Sequence, residues 1–152
     1  MPGMNIASVY HDVKVVPVYY KIDADDEAVT TDEVDTRGYE GCAFYAVLGR
    51  GEVKAAAITT KVQQDTATGM ASAADLEDTG DTAATAVASD ATVLTDIKKP
   101  QERYLRMHIT VADMTTAAAL TVTAILYNPV VRPVTQVVDS AEFHLEPDEG
   151  TA

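Results

Sequence analysis

The stretch RYLRMHITVADMTTAAALTVTAILYNPVVRPVT, Arg103–Thr135, constrains this chain more than any other part of it. Two runs of apolar and polar alternation flank a short polar break, and a proline-punctuated exit follows. In the first run Leu105, Met107, Ile109 and Val111 fall on one face, with Tyr104, Arg106, His108 and Thr110 on the other. In the second, Leu120, Val122, Ala124 and Leu126 alternate with Thr121, Thr123, Ile125 and Tyr127. A period of two means half-buried strands, because successive side chains of a strand point to opposite faces. The chain is therefore read as all-β.

Other segments agree. VKVVPVYYKI places Val16, Val18, Tyr20 and Ile22 on one face of a strand, and Pro17 confines that strand to a sheet edge or a bulge. Asp23–Asp35 reads as an acidic loop, RGYEG as a turn, and Cys42–Leu48 as a strand. In KAAAITTKVQQ the alanines favour helix, but Ile58, Thr59, Thr60 and Val62 are β-branched and favour a strand. Asp65–Asp90 suggests a short hairpin, with strands near Met70–Leu76 and Ala84–Val87, or a short helix. Thr92–Ile97 is a strand, and KKPQE a turn in which Lys99, before proline, leans extended. NPVVRPVT reads as an edge strand or extended segment. Many short strands separated by turns, without long helical periods, point to an antiparallel β-sandwich. The absence of an immunoglobulin Cys–Trp–Cys pattern favours a jelly roll. The expected organisation is an extended N-terminal arm at residues 1–12, a sandwich at 13–137 and an acidic tail at 138–152.

At 152 residues the chain is expected to form one domain, long enough to bury a core without disulfides or metals. Ala and Thr are abundant and Trp is absent, so the core is thin, and oligomerisation is the expected remedy. Eleven Lys and Arg against 24 Asp and Glu give a net charge of −13. Such a surface repels nucleic-acid phosphates and anionic membranes, so no nucleic acid and no membrane partner is expected. It acts as a solubility device, or favours basic partners or cations. The N-terminus has no basic region leading into an apolar stretch, and no apolar run approaches a membrane span. Synthesis and folding in a cytoplasm are expected. Cys42, the single cysteine, opens an apolar run and reads as a small core residue.

A search for chemistry returns no active site. The acidic cluster Asp23, Asp25, Asp26 and Glu27 invites calcium. Counted from Asp23, however, the sixth residue is Ala28 and the twelfth Val34, where an EF-hand loop needs Gly and Glu. A solvated loop is the better reading. His11, His108 and His144 show no metal-ligand spacing. The serines sit in no nucleophile elbow, and Gly49–Arg50–Gly51 completes no phosphate loop. No catalysis, cofactor or metal is expected. Tyr104 and Arg106 share a strand face opposite Arg103, and Tyr with Arg on a sheet face is the composition of protein interfaces.

Three separated segments carry a resemblance. VDTRGYEGCAFYAVLG, Val34–Gly49, looks like the D-x-x-G-Y-E turn that opens a strand in phage head proteins. DIKKPQERYLRMHITV, Asp96–Val111, is similar to a KP-x-x-RYLR strand entry. AILYNPVVRPVTQ, Ala124–Gln136, followed by the acidic EFHLEPDEGTA, Glu142–Ala152, adds a Pro-Val-Thr exit and a tail. In this order they resemble the capsid decoration, or cement, proteins of tailed bacteriophages. The resemblance implies a jelly-roll-like sandwich on the outer surface of a virion, trimeric, clamping neighbouring subunits of the major capsid protein without catalysis. Tyr104, Arg106, Asn128, Pro129, Arg132 and Pro133 are the expected contact residues, with Met1–Asp12 and Glu142–Ala152 as extended contacts. The rival expectations are a carbohydrate-binding jelly roll, for which the aromatic supply is thin, and another virion structural protein of the tail or connector.

Overall fold

Alternating side chains build two facing sheets, and the chain reaches them through a turn of helix and ten strands among the residues described. The computed structural model describes residues 8–49, 57–76, 82–85, 90–114 and 116–142. Expectations for residues 1–7, for the Arg50–Gly51 part of the glycine-rich break, for 86–89 of the anticipated hairpin and for the tail beyond Glu142 lie outside them. The elements are α1 (Val9–Asp12), β1 (Val13–Ala24), β2 (Glu27–Thr30), β3 (Val34–Asp35) and β4 (Tyr39–Gly49). There follow β5 (Ala57–Asp65), β6 (Ala74–Asp75), β7 (Thr82–Thr85), β8 (Asp90–Lys98), β9 (Tyr104–Ala112) and β10 (Ala118–Pro129).

All pairings are antiparallel. One sheet has the order β1-β10-β4-β8. In the other, β9 and β5 form the centre, β2 and β3 lie end to end along the free edge of β9, and β6 and β7 do so along β5. The chain thus pairs as one long folded ribbon. Its first strand meets its last, β2 and β3 meet β9, β4 meets β8, and β5 meets β6 and β7. Wrapped into two sheets, that pairing is a jelly roll.

The core lies between the sheets. Leu105, Met107, Ile109 and Val111 of β9 and Leu120, Val122, Ala124 and Leu126 of β10 are all buried, as the alternation requires. Cys42, Phe44, Ala46 and Leu48 of β4 point inward beside the β10 residues, and Ile58 and Val62 of β5 do so beside those of β9. Alanines and a cysteine occupy many of these positions, so Phe44 is the one large aromatic among the buried residues described.

Four expectations are corrected. Val9–Asp12 is a helical turn, not an extended arm: the N–H groups of His11 and Asp12 donate to the Ser8 carbonyl. The acidic stretch Asp23–Asp35 is not one loop but holds β2 and β3. Thr31 bridges the gap between them by accepting from the Met107 N–H (3.0 Å), so its hydroxyl replaces a missing ladder bond. Val16, Val18, Tyr20 and Ile22 do not share a face: the register slips between Pro17 and Tyr19, Val18 is buried, and Tyr20 and Ile22 are 69% and 66% exposed. Pro17 lies on an edge strand, beside that bulge, where a missing N–H is tolerated. Lys99 has φ +54, a left-handed conformation, rather than an extended one. β8, Asp90–Lys98, contains the anticipated strand Thr92–Ile97, and Asp65–Asp90 supplies β6 and β7, which pair with β5 and not with each other.

Candidate functional site

The three motif-bearing segments meet at one end of the sandwich. The turn between β3 and β4 carries Thr36, Arg37 and Gly38, and φ +89 at Gly38 is a conformation that side chains resist. Thr36 ties this turn to the entry of β9: its N–H and its hydroxyl both donate to the Arg103 carbonyl, at 2.9 and 2.8 Å. On the other side of the turn, Val130 N–H donates to the Gly38 carbonyl (2.8 Å) and Pro129 lies opposite Tyr39. The Lys99 N–H donates to the Glu40 carbonyl (2.7 Å). Two shallow depressions, about 340 and 390 Å³, flank the turn and share Arg37, Gly38 and Tyr39. One continues to Lys14 and the segment Pro129–Thr135, the other to Lys99–Arg103.

Arg103 reaches Asp35 with two bonds, Nε to Oδ1 at 2.9 Å and Nη2 to Oδ2 at 2.7 Å. This pairing holds the Asp35 carboxyl below the usual range, helped by the Arg37 N–H. The Arg103 guanidinium also lies 5.0 Å from the Tyr104 ring centroid. Arg103 therefore sits with Tyr104 rather than opposite it, because β9 begins only at Tyr104 and strand alternation does not extend to the residue before it.

The anticipated contact residues fall into two groups. Tyr104 adjoins the motif-bearing end, while Arg106 lies further along the outer face of β9, where its Nε donates to Gln63 Oε1 (2.9 Å). Asn128 (φ +49) donates to Glu40 Oε2 at 2.9 Å and begins the exit from β10. Arg132 pairs with Asp12 at 3.0 Å, which fastens that exit to α1. The Arg132–Pro133 peptide is cis, and Val134 N–H donates to the His11 carbonyl (3.1 Å). Val130 and Val131 between them are 82% and 76% exposed.

Val130 and Val131 lie inside the exit segment Asn128–Thr135 that the sequence offered for contacts. Arg37, Tyr39 and Gln136 were not singled out, although the turn motif carries the first two. Gln136 gave no signal. Its amide donates to the Val13 and Tyr10 carbonyls (2.6 and 3.1 Å) and its carbonyl accepts from the Val15 N–H (3.3 Å), stitching α1 and β1 to the exit segment.

Cations gather here. Lys14, Arg37, Lys98, Lys99, Arg103 and Arg132 lie around this end, six of the chain's eleven Lys and Arg. Asp12, Asp35 and Glu40 pair with three of them. The end is thus far less negative than the chain as a whole. Among the described residues no three His, Cys, Asp or Glu side chains converge in a metal-binding arrangement, and no helix is long and apolar enough to cross a membrane. His108, on the outer face of β9, sits 3.2 Å from the Thr30 hydroxyl. Burial pushes the Cys42 thiol up to about 12, which makes it a poor nucleophile.

No family model matches the chain, and no curated protein matches it either. Among solved structures, the chain is similar to the SPBc2 prophage-derived protein YomS at 10% identity. That match covers 82% of this chain and 100% of that one with a TM-score of 0.43.

Proposed function

We propose that the chain is a structural protein of a phage virion. In this reading it binds the outside of the capsid as a homotrimer and clamps neighbouring major capsid protein subunits, making and breaking no covalent bond. The observation that carries the reading is the convergence of Asp35–Glu40, Lys99–Tyr104 and Asn128–Thr135 on one end of the sandwich. These are the segments whose order resembles the cement proteins, and each carries an exposed arginine, Arg37, Arg103 and Arg132, with Val130 and Val131 exposed on the last. Arg and Tyr are enriched in protein interfaces, where a few anchors carry most of the binding energy. The local surplus of cations on a chain of −13 also suits an acidic patch on a partner. Repetition over a symmetric shell raises occupancy without any single strong contact.

The test mixes the purified protein with expanded heads that lack it. Stoichiometric binding is expected, and Arg37→Glu combined with Val131→Asp should abolish it while leaving the melting temperature unchanged. Heads that take up no protein would reject the reading.

A further inference from the structure

The two outer faces of the sandwich are chemically unlike. On the six-stranded sheet the outer face is polar and satisfied internally: Lys61 and Gln63 both bind Asp75 (2.7 Å each), and Gln63 accepts from Arg106. On the four-stranded sheet the register aligns Pro17, Thr123, Tyr45 and Leu94 in one row across all four strands. The next row is Tyr20, Thr121, Val47 and Thr92. Neither row holds a charge, and Tyr20 and Leu94 are 69% and 64% exposed. The row on the other side, Val15, Ile125, Ala43 and Asp96, carries a single carboxylate, which accepts from the Tyr127 hydroxyl at 2.7 Å.

An antiparallel sheet with one solvated face ordinarily alternates polar and apolar residues along its strands. β4 does not: CAFYAVL is apolar on both faces. We infer that the outer face of the β1-β10-β4-β8 sheet is the surface through which copies of this chain associate, with a second copy as its occupant. Charge selects that occupant. Two molecules of −13 repel wherever their acidic surfaces meet, and these rows are where they can approach without opposing charges. Area agrees. Four strands ~4.8 Å apart and about eight residues long at ~3.3 Å each span on the order of 500 Å². Covering it from both sides buries about 1,000 Å², the lower bound of a specific interface. The apolar surface also continues past Val15 into a groove lined by Val9, Tyr10 and Val138, which extends the footprint. A face of this size matches the largest apolar patches of ordinary monomers, which are often functional.

The inference rests on the self-association in the proposed reading and assigns its surface: uptake by heads tests capsid binding, and solution mass with the face variants tests the surface. Light scattering coupled to size exclusion is expected to give an oligomer for the wild-type chain at micromolar concentration. Tyr45→Lys with Leu94→Lys should reduce it to the single-chain mass with a cooperative melt retained. Thr110→Lys, on the outer face of the other sheet, should leave the oligomer intact. Should the double variant lose its cooperative melt, Thr92→Lys, an exposed position in the second row, is read in its place and should likewise give a monomer. A monomeric wild type would overturn the inference and leave the face to a foreign protein or to residues 143–152. An oligomer unmoved by the face substitutions would overturn it as well.

Discussion

At the scale of single residues, the core contains a hydroxyl without a partner. Thr60 on β5 is buried between Ile58 and Val62, and its Oγ1 has no hydrogen-bond partner among the described residues. Thr31 and Thr36, also buried, each use the hydroxyl to close a gap in the backbone ladder. An unmade bond in the interior costs about 1–3 kcal/mol, so Thr60→Val should stabilise the fold by about 1 kcal/mol, read from the denaturant midpoint at unchanged slope. Thr36→Val should do the reverse by about 1 kcal/mol, because the Arg103 carbonyl loses the hydroxyl and keeps only the backbone N–H as a donor. Gly41 is constrained differently. A Cβ there would meet the Tyr127 hydroxyl at 2.2 Å and the ring beneath it. Gly41→Ala should swing the ring out, break its bond to Asp96, and cost about 1–3 kcal/mol in a thermal or urea melt. None of these roles was legible beforehand, since a threonine or a glycine in a strand pattern does not announce which atom faces it.

At the scale of elements, legibility followed the strength of the alternation. β9 and β10 were readable because Leu105, Met107, Ile109 and Val111 in the one, and Leu120, Val122, Ala124 and Leu126 in the other, each obey a period of two. β1 was half readable: Pro17 signalled an irregular edge, but nothing in VKVVPVYYKI says that the bulge reverses the facing of Tyr20 and Ile22. β2, β3 and β6 were missed or blurred because strands of two to four residues carry too few side chains to show a period, and charged residues surround them. The end-of-sandwich site was partly legible. Its motifs were visible, but their meeting depends on the wrap that pairs the first strand with the last. The loop from β5 to β6 adds a carboxylate whose role is set by backbone donors. Asp65 accepts the N–H groups of Ala67 (3.0 Å) and Ser72 (2.9 Å), which hold its carboxyl below the ordinary value. The unfolded chain therefore takes up that proton more readily than the folded one. The stabilisation is complete above the unfolded value of about 4 and fades as pH falls through the lower folded value. Asp65→Asn should melt at a lower temperature than the wild type at pH 7, and the gap should close on acidification below about pH 4.

At the scale of the molecule, net charge and the uncharged sheet face act in opposite directions, and salt separates them. Each copy carries −13, so association works against long-range repulsion that weakens as the screening length shrinks from about 30 Å at 0.01 M to about 8 Å at 0.15 M. A contact made by Tyr45, Leu94, Tyr20 and Val47 contains no ion pair for salt to weaken. Its apolar gain is untouched while the opposing repulsion falls, so the oligomer should become more populated as salt is raised over that range. An interface on the other sheet would respond differently. Its outer face is held by Lys61–Asp75 and the Arg106–Gln63 bond, and a partner there would have to compete for those groups through charge. Such an association would weaken with salt, as would docking of the cationic end around Arg37 on an acidic capsid patch. Sedimentation equilibrium across a salt series reads the first effect directly, and the expected sign is a tighter oligomer at higher ionic strength. Dissociation on adding salt would move the contact from the apolar sheet to a charged surface of the protein.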